Sequence, residues 1–144
     1  MRADLKLADG LDLMFRTGLD YSNELDMRKR AYSTQRFPSG QYREDYTYAQ
    51  EQNTDFLLSY TKTLNEDFDF GVSAGANHRV AKNRYQRISA NSLSIPAIYN
   101  FGNAAEPLTT SDYDSEFRVN SVYAFGNISY KNYLFLDLTA RNDW

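Results

Sequence analysis

Residues 133–144 read YLFLDLTARNDW, and their reading decides the fold. Leu134, Leu136, Leu138 and Ala140 share one parity, while Asp137, Thr139 and Arg141 share the other. Successive side chains of a strand point to opposite faces, so this stretch predicts a strand with one oily face and one wet face. The same alternation runs through residues 11–21. There Leu11, Leu13, Phe15, Thr17, Leu19 and Tyr21 oppose Asp12, Met14, Arg16, Gly18 and Asp20.

Three more stretches carry the pattern. Over 54–60 the apolar parity is Phe56, Leu58 and Tyr60. Over 68–76 it is Phe68, Phe70, Val72, Ala74 and Ala76, against Asp69, Gly71, Ser73 and Gly75. Over 117–130 it is weaker, with Val122, Ala124, Ile128 and Tyr130 on one side. Residues 3–7 add a short strand. Turn signals fall between them: ADG at 8–10, LNED at 64–67 and KN at 131–132. The chain therefore reads as all-β, with about six antiparallel up-and-down strands and no helix. Its connections alternate in length. They are short at those three turns and long at about 23–45 and 81–115, where hydrophobic alternation lapses.

Composition narrows the function. The 144 residues contain no Cys, which excludes disulfides and Cys-based metal sites. A net charge of −3 argues against a general nucleic-acid binder, so no nucleic-acid partner is expected. Aromatic residues make up 15%, as 12 Tyr, 9 Phe and 1 Trp, which favours strands. No apolar run is long enough for a transmembrane helix. The opening MRADLKL lacks the apolar core of a signal peptide and already alternates, so Met1 is expected to begin in the middle of a longer pattern.

Long structureless loops are uncommon in compact soluble domains. An outer-membrane barrel has short turns at one end and long loops at the other by construction. About 11–13 residues, rising about 3.3 Å each and tilted near 45°, cross the apolar band of about 25 Å. Tyr21, Tyr60, Tyr130 and Tyr133 lie near strand ends, where interfacial aromatics belong. On this reading lipid covers Leu11, Leu13, Phe15, Leu19, Phe56, Leu58, Phe68, Phe70, Val72, Leu134, Leu136 and Leu138. The wet parity, including Asp12, Arg16, Asp20, Asp69, Asp137 and Arg141, faces a lumen. A bilayer tolerates only closed β structures, and about eight strands is the smallest common barrel. About six strands are then a partial segment of a large outer-membrane β-barrel. Such a segment would form a sheet with two unpaired edges and few fully buried residues. A compact core joining Leu13, Phe15, Phe70 and Val72 would overturn the assignment.

YLFLDLTARNDW, together with the preceding NSVYAFGNISYKN at 120–132, resembles a barrel hairpin of the SusC/RagA family. These are the TonB-dependent transporters of the Bacteroidetes outer membrane. FLLSYTKTLNEDFDFGVSAGAN at 56–77 and LSIPAIYNFGNA at 93–104 resemble the family as well. The family's run continues into Ser-Ser-Thr-Leu-Pro beyond the Trp, so residues 1–144 are expected to be a piece of the barrel without plug domain, signal peptide or TonB box. The resemblance implies a barrel of about 22 strands around a plug, placed in the outer membrane of a Gram-negative bacterium. It implies import of oligosaccharides or peptides, energised through TonB. The implied partners are outer-membrane lipid, the rest of the barrel and plug, a SusD-like surface lipoprotein and TonB. No cofactor and no enzymatic step are expected.

The remaining motifs are weaker. Asp112, Asp114 and Glu116 alternate as in an acidic loop that could hold calcium, but the EF-hand spacing and its Gly are missing. His78 is the only His, without a second ligand beside it. Arg28, Lys29 and Arg30 form a basic cluster that could meet lipopolysaccharide phosphates or simply stay solvated. No Gly-x-Ser-x-Gly occurs, and neither FGN repeat lies in a strand-to-helix phosphate loop. Among the aromatics of the long loops, Tyr85, Tyr99 and Phe101 are the ligand-binding candidates, with packing of the loops on themselves as the plainer role. The alternative to a transporter segment is a soluble β-sandwich or small barrel that binds a ligand in its loops and packs its oily faces together. A carbohydrate-active enzyme fragment would need a convergent carboxylate pair, and nothing singles one out.

Overall fold

A computed structural model describes residues 1–131 and 133–144. Its strands are β1 (Arg2–Ala8), β2 (Leu11–Thr34), β3 (Phe37–Asn65), β4 (Phe68–Ala90), β5 (Thr109–Tyr130) and β6 (Leu134–Asp143). One short 3-10 helix, Phe101–Asn103, interrupts the connection between β4 and β5. The strands form a six-stranded sheet in sequence order, with β1 and β6 at its edges. β1 pairs antiparallel with β2, Leu5 opposite Leu13, and β5 pairs antiparallel with β6, Ile128 opposite Leu136. Each strand thus lies beside its neighbour in the chain, the up-and-down arrangement expected from the alternation.

The strands outrun the sequence expectation. Residues 23–34 continue β2, residues 37–45 begin β3, and the stretches 81–90 and 109–115 belong to β4 and β5. The cause lies in which faces are wet. Segments such as DMRKRAYST carry only Met27 and Tyr32 among charged, polar or small residues, and on opposite parities, so they show no hydrophobic period while still pairing through the backbone.

The turns follow side-chain chemistry. Gly10 has φ +76° at the first turn, and a Cβ there would collide with the Thr61 carbonyl. At LNED, Asn65 Oδ1 accepts from the backbone N–H of Asp67 (2.9 Å) and of Phe68 (3.0 Å), an Asx-type turn. At the third turn Lys131 takes φ +50° and its N–H donates to the Asp67 carbonyl at 2.7 Å. Asn132, the other half of the expected KN turn, lies outside the described residues.

The residues group into two compact units. The first comprises Met1–Asp20, Glu51–Ala81 and Phe117–Trp144. Among its described residues no hydrophobic side chain is buried; those hidden from solvent are Gly71, Ser73 and Ser121. Its oily parity stands open instead, with Val72 47%, Leu134 57% and Leu138 63% exposed. At the turn end, aromatic rings pack on each other: Phe68 lies 4.5 Å from Tyr130, and Tyr130 lies 5.7 Å from Tyr133.

The second unit comprises Tyr21–Gln50 and Lys82–Glu116, and it holds the buried hydrophobic residues Tyr42, Ala90 and Leu93. Tyr32, Tyr99, Phe101 and Ala104 pack around them. Asn103 shapes the connection that supplies this cover. It accepts from the Ile95 N–H at 3.1 Å and donates to the carbonyls of Ile95 (2.8 Å) and Ile98 (2.7 Å). Gly40, at φ +72°, lets the chain pass close to Leu93 and Tyr32.

Candidate functional site

The wet parity of the first unit assembles a cleft of about 920 Å³. Alternation puts Arg2 of β1, Arg16 of β2, Asp55 of β3, Asn77 and Arg79 of β4, Tyr123 of β5 and Arg141 of β6 on its lining. Asp55 is the organising group. Its Oδ2 accepts from Arg16 Nε at 3.0 Å and Nη2 at 2.8 Å, and its Oδ1 accepts from Asn77 at 2.7 Å. Arg79 donates to Glu51 at 2.6 Å, and Glu51 also takes the Asn53 amide at 2.8 Å. Arg141 spans Asp143 at 2.8 Å and the Ser121 hydroxyl at 3.1 Å. Arg2 is held by Asp4 at 2.8 Å. Planar guanidinium forks aligned on carboxylates are geometrically specific, so these arginines are oriented rather than floppy.

Two glycines set the space around the cleft. A Cβ at Gly75 would meet Tyr123 Cζ at 2.6 Å and the Phe56 carbonyl at 2.7 Å, so the lining residue Tyr123 crosses the wall only because position 75 is bare. At Gly18, itself on the lining, a Cβ would meet nothing within 4 Å.

Of the wet-parity residues singled out in the sequence, Arg16 and Arg141 lie on this cleft, whereas Asp12, Asp20, Asp69 and Asp137 are not among its lining residues. Asp55, Asn77, Arg79 and Tyr123 were not singled out, although extending each strand's parity by a few residues reaches all four.

The other candidates are placed as follows. Phe15, Leu19, Phe56, Leu58, Phe68, Val72, Leu134, Leu136 and Leu138 are exposed, and Leu11, Leu13 and Phe70 are half-buried. The last three join no buried hydrophobic cluster among the described residues. Tyr99 and Phe101 pack against the core of the second unit, Phe101 with its ring 4.9 Å from that of Tyr42. Tyr85 is half-buried on β4 and donates to Asp45 at 3.1 Å. Asp114 and Glu116 lie on β5, 3.6 Å from Arg84 and 3.5 Å from Lys82, as cross-strand ion pairs. No group of metal-ligating side chains occurs among the described residues. His78 Nδ1 shares a hydrogen bond with Asn120 Oδ1 at 2.7 Å. Of the basic cluster, Arg28 pairs with Asp26 at 2.9 Å, while Lys29 and Arg30 lie over the rings of Tyr99 and Phe37.

The second unit carries a separate polar centre at Asp45, which is buried and accepts from Arg43, Arg87 and Tyr85. Burial alone would push its carboxyl up. Donation from Arg87, Arg43 and Tyr85 outweighs that and holds the carboxyl below its ordinary value. Nearby, hydrogen bonding to Glu44 together with burial pushes the Tyr42 hydroxyl up to about 12.

No family model matches the chain, and no curated protein matches it either. Solved structures do match. The chain superposes on the RagAB peptide transporter with a TM-score of 0.81 at 19% identity, over 99% of its own length and 16% of that chain. The RagAB peptide importer in its "closed-closed" and "open-open" states gives TM-scores of 0.79 and 0.80 over the same shares. The chain therefore has the fold of an antiparallel segment of a β-barrel transporter, and it spans about one sixth of the length of the chains it resembles.

Proposed function

We propose that residues 1–144 form part of the wall of a SusC/RagA-like, TonB-dependent transporter in the outer membrane. The observation that carries this reading is the open oily face of the first unit. Leu19, Phe56, Val72, Leu134 and Leu138 are exposed, and among the described residues no hydrophobic side chain of that unit is buried. Opposite them lies a face of ordered charges. An apolar surface of this extent is unfavourable in water, and hydrocarbon tails are the solvent that suits it. A soluble sandwich would pack those faces on each other.

In the whole transporter this segment contributes lumen wall and the approach to it. The process is binding and gated passage of peptides or oligosaccharides, with no bond made or broken. Energy reaches the barrel through TonB acting on a plug, and a SusD-like lipoprotein assists capture. The RagAB neighbours are a peptide transporter, which favours peptides over oligosaccharides.

Fractionation tests the reading. The protein is expected to sediment with outer membranes, to resist a urea wash and to be released only by detergent. A monodisperse monomer in detergent-free buffer would overturn it.

A further inference from the structure

We propose that the cleft on the wet face of the first unit is a binding site for carboxylate-bearing ligands, whether acidic peptides or oligosaccharides of acidic sugars. The argument is an inventory of hydrogen-bonding capacity. Arg2, Arg16, Arg79 and Arg141 line the cleft with Asp55 as the one lining carboxylate, while Asp4, Glu51 and Asp143, which pair with Arg2, Arg79 and Arg141, are not among its lining residues. The attraction for a ligand therefore rests on donors that these pairs leave unused rather than on net charge. The Asp55 side chain is only 13% exposed and both its oxygens already accept from Arg16 or Asn77, so it offers little to a ligand.

The arginines are different. A guanidinium carries about five N–H donors. Arg16 directs Nε and Nη2 to Asp55, and Arg79 directs Nη2 to Glu51. Their side chains remain 58% and 44% exposed. Each therefore keeps unspent donors while its orientation is fixed by a wall carboxylate. On the lining, oriented guanidiniums outnumber carboxylates four to one, an arrangement that suits a carboxylate ligand. Gly18 leaves open space beside them, and the ring of Tyr123, seated over Gly75, adds a surface on the lining for the body of the ligand.

As a station on an import route the cleft rests on the transporter reading; as a binding site it stands independently. The test separates the two. Calorimetric titration of the detergent-purified full chain would use triglutamate, trigalacturonate, amidated trialanine and maltotriose. Triglutamate, trigalacturonate or both are expected to bind, more weakly as salt rises, with the neutral probes at least about tenfold weaker. The responding acid identifies the source of the carboxylate. Arg16→Gln and Arg79→Gln are each expected to weaken binding about tenfold, the loss of one charge-assisted contact. Gly18→Leu, at a position where a Cβ meets nothing within 4 Å, is expected to occlude the cleft with all arginines retained. Each variant would first show the wild-type strand signal and melting midpoint. Equal binding of neutral and acidic probes, no binding at all, or unchanged affinity in folded Arg16→Gln, Arg79→Gln and Gly18→Leu would overturn the proposal. Failure of the membrane fractionation with acidic-probe binding intact would overturn the transporter reading alone.

Discussion

Asp45→Ala is expected to destabilise the second unit by about 2–4 kcal/mol, because it strands buried donors rather than merely deleting a contact. The Asp45 side chain is 8% exposed and that of Arg43 is 14% exposed, so water cannot freely replace the lost carboxylate around Arg43. Arg87, at 39% exposed, recovers hydration more readily, which keeps the cost below that of a fully buried triad. Asp45→Asn preserves volume and one acceptor and is expected to cost less. The pH dependence has a definite sign. The folded carboxyl lies below its ordinary value of about 3.9, so its stabilisation is complete above about pH 4 and is lost as pH falls through the lowered folded value. The melting midpoint of the wild type should therefore drop on acidification, and that part of the drop should vanish in Asp45→Asn. Equal midpoints for wild type and Asp45→Ala at neutral pH would refute the assignment.

Leu138→Arg should cost about 2–4 kcal/mol in a lipid environment, the penalty of a cation near the middle of the apolar band. Leu138 is already 63% exposed, so the same substitution on a water-facing surface would stay within about 0.5 kcal/mol. The control is the next residue. Asp137 points to the opposite face, where it stands across from Asn127, and Asp137→Arg is expected to change stability little. Equilibrium unfolding of both variants in detergent micelles or vesicles gives the comparison. Indistinguishable effects at 137 and 138 would remove lipid from the account.

What could be read from the sequence was whatever hydrophobic contrast writes into it. Residues 11–21 and 68–76 alternate apolar with polar or small side chains, and their strands were legible at once. ADG and LNED were legible because Gly10 and Asn65 act locally. Residues 23–34 were not, since Leu25, Met27 and Tyr32 are too few and fall on both parities, so pairing leaves no periodic trace. The Asp45 centre was invisible for another reason. Tyr85 and Arg87 lie 40 and 42 residues away in sequence, and only the register of β3 against β4 brings them together. Arg16 and Arg141 could be assigned to a face, but their convergence on one cleft required the sheet itself.

The first unit hides glycine and serine rather than hydrocarbon, and this has a thermodynamic consequence. The heat-capacity rise of unfolding comes from wetting apolar surface, about 12–15 cal/mol/K per residue in globular proteins. A unit whose fully sequestered residues are Gly71, Ser73 and Ser121 has less such surface to wet. Its unfolding in water should then carry a smaller heat-capacity rise per residue, and so a flatter temperature optimum, than that of a domain of the same size built around an oily interior.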